Sequence, residues 1–207
     1  MNHLAHFTLA PLDDAARIGT LLGDFVRGSD LSAWPVEVEQ AIRLHRRIDA
    51  FTDSHALIGA ARQLLPPEWR RHAGIALDVY FDHLLIANWG VWHAEALATT
   101  SRAVYASLAR HAARLPDPAR TIAMRMGEFD TLLACASETG VARVLQRIST
   151  RLKRPVALDA MLPALVANRR ALADLFARLY PELQEEARRY LAGSTRNTRP
   201  SGLSVSR

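Results

Sequence analysis

An all-α, single-domain fold is what this sequence predicts, and three features predict it. Ala and Leu dominate while β-branched residues are sparse, a composition that favours helix. Strict alternation of apolar and polar residues is almost absent, whereas apolar residues recur at spacings of three and four. The 207 residues are 49% apolar, enough for one full core, and neither an internal repeat nor a Gly/Ser linker divides them.

Helical spacing and proline punctuation set nine predicted helices. The first covers 12–27. The second, 36–52, begins behind Pro35, and the third, 55–65, stops at Pro66-Pro67. The fourth, 67–90, is apolar on almost every side. The fifth, 93–114, runs to Pro116, and Asp117-Pro118 reads as an N-cap and first-turn proline for the sixth, 117–137. The seventh covers 138–150. Pro155 precedes the eighth, 156–180, and Pro181 opens the ninth, 181–192. Residues 193–207 are mostly Ser, Thr, Arg, Gly and Pro and are expected to form a flexible tail, leaving 1–192 as the domain.

The formal net charge is +5 and the pI about 10.1, with Arg supplying nearly all the positive charge because Lys153 is the single lysine. Such a surface suits an acidic partner, whether nucleic acid, anionic membrane or acidic protein. Cys135 is the single cysteine, so no internal disulfide can form and a reducing, cytoplasmic setting is expected. The first ten residues lack a basic start before an apolar run, so no signal peptide is expected. No uncharged apolar stretch reaches the ~18 residues of a membrane span. Walker A, G-x-G-x-x-G, C-x-x-C, H-E-x-x-H and G-x-S-x-G patterns are absent, which removes P-loop, Rossmann, zincin and ordinary serine-hydrolase chemistry by motif.

Four segments place acid or histidine where apolar residues are expected. Ile75–Ala87 is apolar or tyrosine except for Asp78, Asp82 and His83. Asp78 and Asp82 stand four apart and share a helical face. Buried carboxylates need a counter-charge, and none lies in that stretch. A divalent cation would supply one, and so would a distant Arg or a capping role. In Ile42–Asp53, His45 and Asp49 share a face with Asp53, beside Arg46 and Arg47, whose guanidinium groups match phosphate geometry. That segment reads equally as a ligand set or as a solvated face of ion pairs. Asp24 stands alone in Leu21–Val26 after a glycine that lets backbones pack closely. His6, near the amino terminus with His3, is open to a site or a packing role. His55, His72, His93 and His111 lack such context, the tryptophans read as packing residues, and Cys135 reads as inert.

In order and spacing, Asn2-x-Leu-Ala-His6, Leu22-Gly-Asp-Phe-Val-Arg-Gly28, His45-Arg-Arg-Ile-Asp-x-Phe-Thr-Asp53 and Leu77-Asp-Val-x-x-Asp-His83 together resemble the acyl carrier protein phosphodiesterase family. A weaker likeness continues through Arg151-Leu-Lys-Arg-Pro155 and Leu175-Phe-x-x-Leu-Tyr-Pro181, so that it spans about 1–185. The resemblance implies an all-helical domain distantly like the HD phosphohydrolases. It implies hydrolysis of the phosphodiester between 4′-phosphopantetheine and the serine of holo-acyl carrier protein, with a divalent ion, Mn²⁺ or Mg²⁺. The pair here reads Asp82-His83, the reverse of the HD order, so no ligand map transfers position by position.

With that chemistry in view, Asp24, His45, Asp78 and Asp82 are the expected metal ligands. His83 is expected as a ligand or as the acid for the leaving alkoxide, and Asp49 as the orienter of His45 or the general base. Arg46 and Arg47 are expected at the phosphate, and His6 in the catalytic set. The expected partner is the acidic holo-carrier, with neither nucleic acid nor membrane. Two other readings are a nucleotide phosphohydrolase of HD type, for instance on guanosine tetraphosphate, and a basic helical module that binds without catalysis.

Overall fold

The computed structural model describes residues 2–154 and 156–197, with side chains to 194, and among them every regular element is helical. Of the expected tail, 193–197 continue the last helix and 198–207 lie outside the described residues. No helix in the described region is long and apolar enough to cross a membrane.

The chain opens with α1 (His3–Leu9) and α2 (Asp14–Leu22). Asp13 caps α2 by accepting the Ala16 amide at 2.8 Å. Helix α3 (Val36–Ser54) starts behind Pro35 as expected, and its buried Val38, Ala41, Ile42, His45, Ile48 and Thr52 recur every three or four residues. It packs on α2, and Gly19 permits the approach: a Cβ there would lie 2.4 Å from the Val38 carbonyl oxygen. Helix α4 (Ala56–Gln63) is capped by His55, whose Nδ1 accepts the Leu57 amide. Then come α5 (Ala73–Ala87), α6 (Trp89–Trp92), α7 (Leu97–His111) and α8 (Ala119–Glu128), followed by α9 (Glu138–Ser149), α10 (Leu162–Ala167) and α11 (Arg169–Asn197). Helix α5 touches α1, α4, α9 and α11, which is why it is apolar nearly all round.

Several boundaries depart from the sequence expectation. Helix α1 was not foreseen, because seven residues are too few to display a period. The first predicted helix ends at Leu22, and 23–34 turn away with Gly28 in the left-handed region (φ 81°). Helix α8 begins with Pro118 at the N-cap position and stops at Glu128, ahead of Asp130 at φ 45°. Pro181 does not break the chain: α11 runs through it for 29 residues. Leu172, Phe176, Leu179, Tyr180, Leu183 and Ala187 form one buried stripe across it. An interior proline costs about 3 kcal/mol. Each large apolar side chain in such a stripe gains about 1.5–3 kcal/mol by burial. Continuity of the stripe therefore outweighs the lost hydrogen bond.

Candidate metal centre

Three segments meet at the start of the chain. Helix α1 presents His3 and His6 one turn apart, the loop after α2 presents Asp24, and α3 presents His45 and Asp49 one turn apart. His6 Nε2 lies 3.0 Å from Asp49 Oδ1, and His45 Nε2 lies 3.3 Å from Asp49 Oδ2 and 3.5 Å from Asp24 Oδ1. His3 Nδ1 reaches Asp24 Oδ2 at 3.4 Å. The His6 and His45 rings stack, 3.8 Å between centroids and 10° from parallel.

Burial divides this cluster into a floor and a rim. The His6 and His45 side chains are 3% exposed, whereas Asp24 and Asp49 keep about two-fifths of theirs open to solvent. The imidazoles are therefore locked by packing while the carboxylates stay accessible. Gly23 makes this lock possible, since a Cβ on it would sit 2.3 Å from His45 Cγ. One donor atom from each of His6, His45 and Asp49 falls within 4.8 Å of the others. A small divalent ion takes oxygen ligands at about 2.0–2.6 Å, so these atoms can converge on one ion with little adjustment. Imidazole with carboxylate is also a donor set that such ions accept.

The charges are strongly coupled. Burial disfavours the protonated form of His6 and holds its pKa down to about 4, against the pull of Asp49. Burial opposes charge on His45 as well, but hydrogen bonds to Asp24 and Asp49 outweigh it and raise the pKa to about 9. Asp49 loses hydration yet is held well below the usual carboxylate range by His45 and His6. Asp24 shifts down for the same kind of reason, with His45 and His3 as its partners. His3 is lowered, mainly by lost hydration, and the positive charges of His45 and Arg151 push the same way.

Of the two acids of α5, Asp82 is engaged by backbone amides, whereas Asp78 lies near enough to the cluster to feel the charge of Asp49. Asp82, 1% exposed, accepts the Leu4 amide at 3.1 Å and the Ala5 amide at 3.3 Å. These are first-turn donors of α1, so a side chain from the core helix caps the helix that carries His3 and His6. Burial pushes Asp82 up to about 7. Asp78 is raised too, first by burial and then by the like charges of Asp49 and Asp53. The Nδ1 of His83 meets the Cys135 carbonyl oxygen at 2.7 Å. Arg46 donates to the Gly28 and Val26 carbonyls at 2.7 Å, which ties the loop bearing Asp24 to α3. Arg47 pairs with Glu186 on α11.

The structure thus gathers Asp24, His45, Asp49 and His6. It places Asp82 under α1, His83 against Cys135, and Arg46 and Arg47 in contacts with the protein's own chain. His3 was given little weight in the sequence. Its signal is the spacing of three to His6, which matters only once α1 is known to be helical.

The chain matches the family model described as acyl carrier protein phosphodiesterase over residues 1–183. It is similar to the acyl carrier protein phosphodiesterase of Photorhabdus laumondii, 32% identical over 90% of this chain and 95% of that protein. The proteins of that name from Yersinia pestis and Pectobacterium atrosepticum are each 31% identical. They cover 90% and 91% of this chain, and 97% and 98% of their own lengths. No solved structure matches the chain significantly.

Proposed function

From the premise that the chain belongs to the acyl carrier protein phosphodiesterase family, we propose that it hydrolyses the phosphodiester joining 4′-phosphopantetheine to the serine of holo-acyl carrier protein. The products are apo-carrier and 4′-phosphopantetheine. The observation that carries the chemistry is the convergence of His6, His45 and Asp49, with Asp24 on the same rim.

An anionic diester brought to Asp24 and Asp49 meets like charge, so productive binding calls for a counter-charge between them. His6, His45 and Asp49 would hold a divalent ion, Mn²⁺ or Mg²⁺, with Asp24 beside them. Such an ion supplies charge neutralisation at phosphorus and a lowered pKa for bound water. Asp24 keeps its carboxylate on the open rim, where it can orient a water and accept its proton. His3, 3.4 Å from Asp24, fixes that carboxylate from its outer side. Asp82 acts at one remove by holding α1 in place. Carrier proteins are acidic, and a chain of net charge +5 would steer them in.

The test is incubation with holo-carrier and Mn²⁺, read by mass spectrometry. Loss of the phosphopantetheine arm, blocked by a chelator, is the expected result. An unchanged carrier mass with active controls would refute the assignment.

A further inference from the structure

We propose that the groove between α8 and α9, beside His3, holds the 4′-phosphopantetheine arm of the substrate. This rests on the substrate reading above and assigns residues to recognition of the arm. The groove encloses about 320 Å³. Small-molecule sites run to about 300–1,000 Å³. A space of that volume suits a small extended group such as the arm.

Its lining suits a chain with a charged end. Ile122 and Phe129 form one wall, and Val144 and Ile148 the other. Phe129 is 52% exposed at the groove. Arg125, Arg147 and Arg151 stand along the same groove. Among the described residues no carboxylate pairs with any of the three groove arginines. Arg125 instead lies 5.3 Å over the Phe129 ring. Arg147 and Arg151 are left to meet the phosphate, Arg151 close enough to His3 to act on it at the groove's edge, and the apolar walls match the methyl-bearing, two-amide arm.

Position joins the groove to the chemistry. His3 lines the groove and also contacts Asp24, so the cluster lies at the groove's edge. An arm lying in the groove would leave its phosphodiester beside the open carboxylates.

The experiment is titration calorimetry with free 4′-phosphopantetheine, with pantetheine lacking the phosphate, and with apo-carrier, which has no arm. The proteins are the wild type, the double variant Arg147→Ala with Arg151→Ala, and Ile148→Trp, which fills the groove. The double variant should lose at least tenfold in affinity for 4′-phosphopantetheine and much less for pantetheine. Ile148→Trp should weaken both, and apo-carrier should bind all three proteins alike. Wild-type affinity for 4′-phosphopantetheine in both variants would overturn the proposal. So would an equal loss of apo-carrier binding, which would put the carrier's own surface in the groove. Turnover of holo-carrier by the wild type reads on the proposed function alone. If the wild type turns over and both variants keep its KM, the groove assignment fails and the function stands.

Discussion

Asp82 on α5 accepts the backbone amide of Leu4 on α1, 78 residues away, at 3.1 Å. A buried acid at the centre of the fold thereby sets the position of His3 and His6. Asp82→Ala leaves the Leu4 and Ala5 amides without their acceptor. Loss of a buried partner costs about 1–3 kcal/mol. Urea denaturation should show a loss of that size, together with weaker Mn²⁺ binding. Asp82→Asn keeps one acceptor oxygen and should lose less. Unchanged stability and metal binding in Asp82→Ala would refute the link.

Metal removal and replacement test the cluster directly. Mn²⁺ at a hundredfold excess over its Kd should stabilise the wild type by about 2.7 kcal/mol. Asp49→Ala and His45→Ala should abolish this gain. Calorimetric unfolding with and without chelator measures it, and an equal Mn²⁺ response in either variant would count against His6, His45 and Asp49 as the ligands.

Gly23→Ala tests the packing behind His45. The added Cβ would lie 2.3 Å from a ring that is itself stacked on His6, so neither ring can yield freely. Overpacking of this kind costs about 1–3 kcal/mol. Activity should fall at least tenfold while helical circular dichroism persists. Wild-type activity would show that the ring has room.

The two stacked histidines give opposite pH slopes to the stability of the metal-free protein. His6 has a folded pKa lowered to about 4, so the unfolded chain takes up the proton first. Its neutral burial is fully favourable above about 6.5 and is lost as pH falls towards 4. His45 has a folded pKa raised to about 9, so its contribution is full below about 6.5 and is lost as pH rises through 9. Asp82, raised to about 7, loses stability between about pH 4 and 7 and offsets the His6 slope. In denaturation from pH 4 to 10 the fall in stability should therefore lie chiefly above pH 7, and His45→Gln should flatten that alkaline limb. An alkaline limb retained in that variant would contradict the assignment to His45.

Electrostatic docking of an acidic carrier predicts that kcat/KM falls as salt rises, mostly through KM. Steady-state kinetics from low to high ionic strength would reveal it. Salt-independent turnover would exclude a steering role for the basic surface.

Much of this molecule could be read before any coordinates. Apolar spacing placed α3 almost to the residue, because one buried face repeats through 19 positions behind Pro35. The apolar surroundings of Asp82 and His83 marked them as buried, and burial is what both show, at 1% and 5% exposure. Helical spacing paired His45 with Asp49 on one face of α3, and they sit 3.3 Å apart. All of these are local consequences of a helical period.

What depends on long-range meeting could not be read that way. The stretch around Asp82 demands a partner for a buried carboxylate but does not say which, and backbone amides have no sequence signature. Only the docking of α1 against α5 shows that first-turn N–H groups fill that need. His6 reaches Asp49 because α1, too short to announce itself, is held at the right height by that cap. Arg46 and Arg47, which suit a phosphate by chemistry, are engaged by the turn after α2 and by α11, while Arg125, Arg147 and Arg151 line the groove. Sequence determined the helices and the kinds of donor this protein carries. Tertiary structure decided which donors meet, because the free energy of a buried polar group depends on its partner across space and not on its neighbours along the chain.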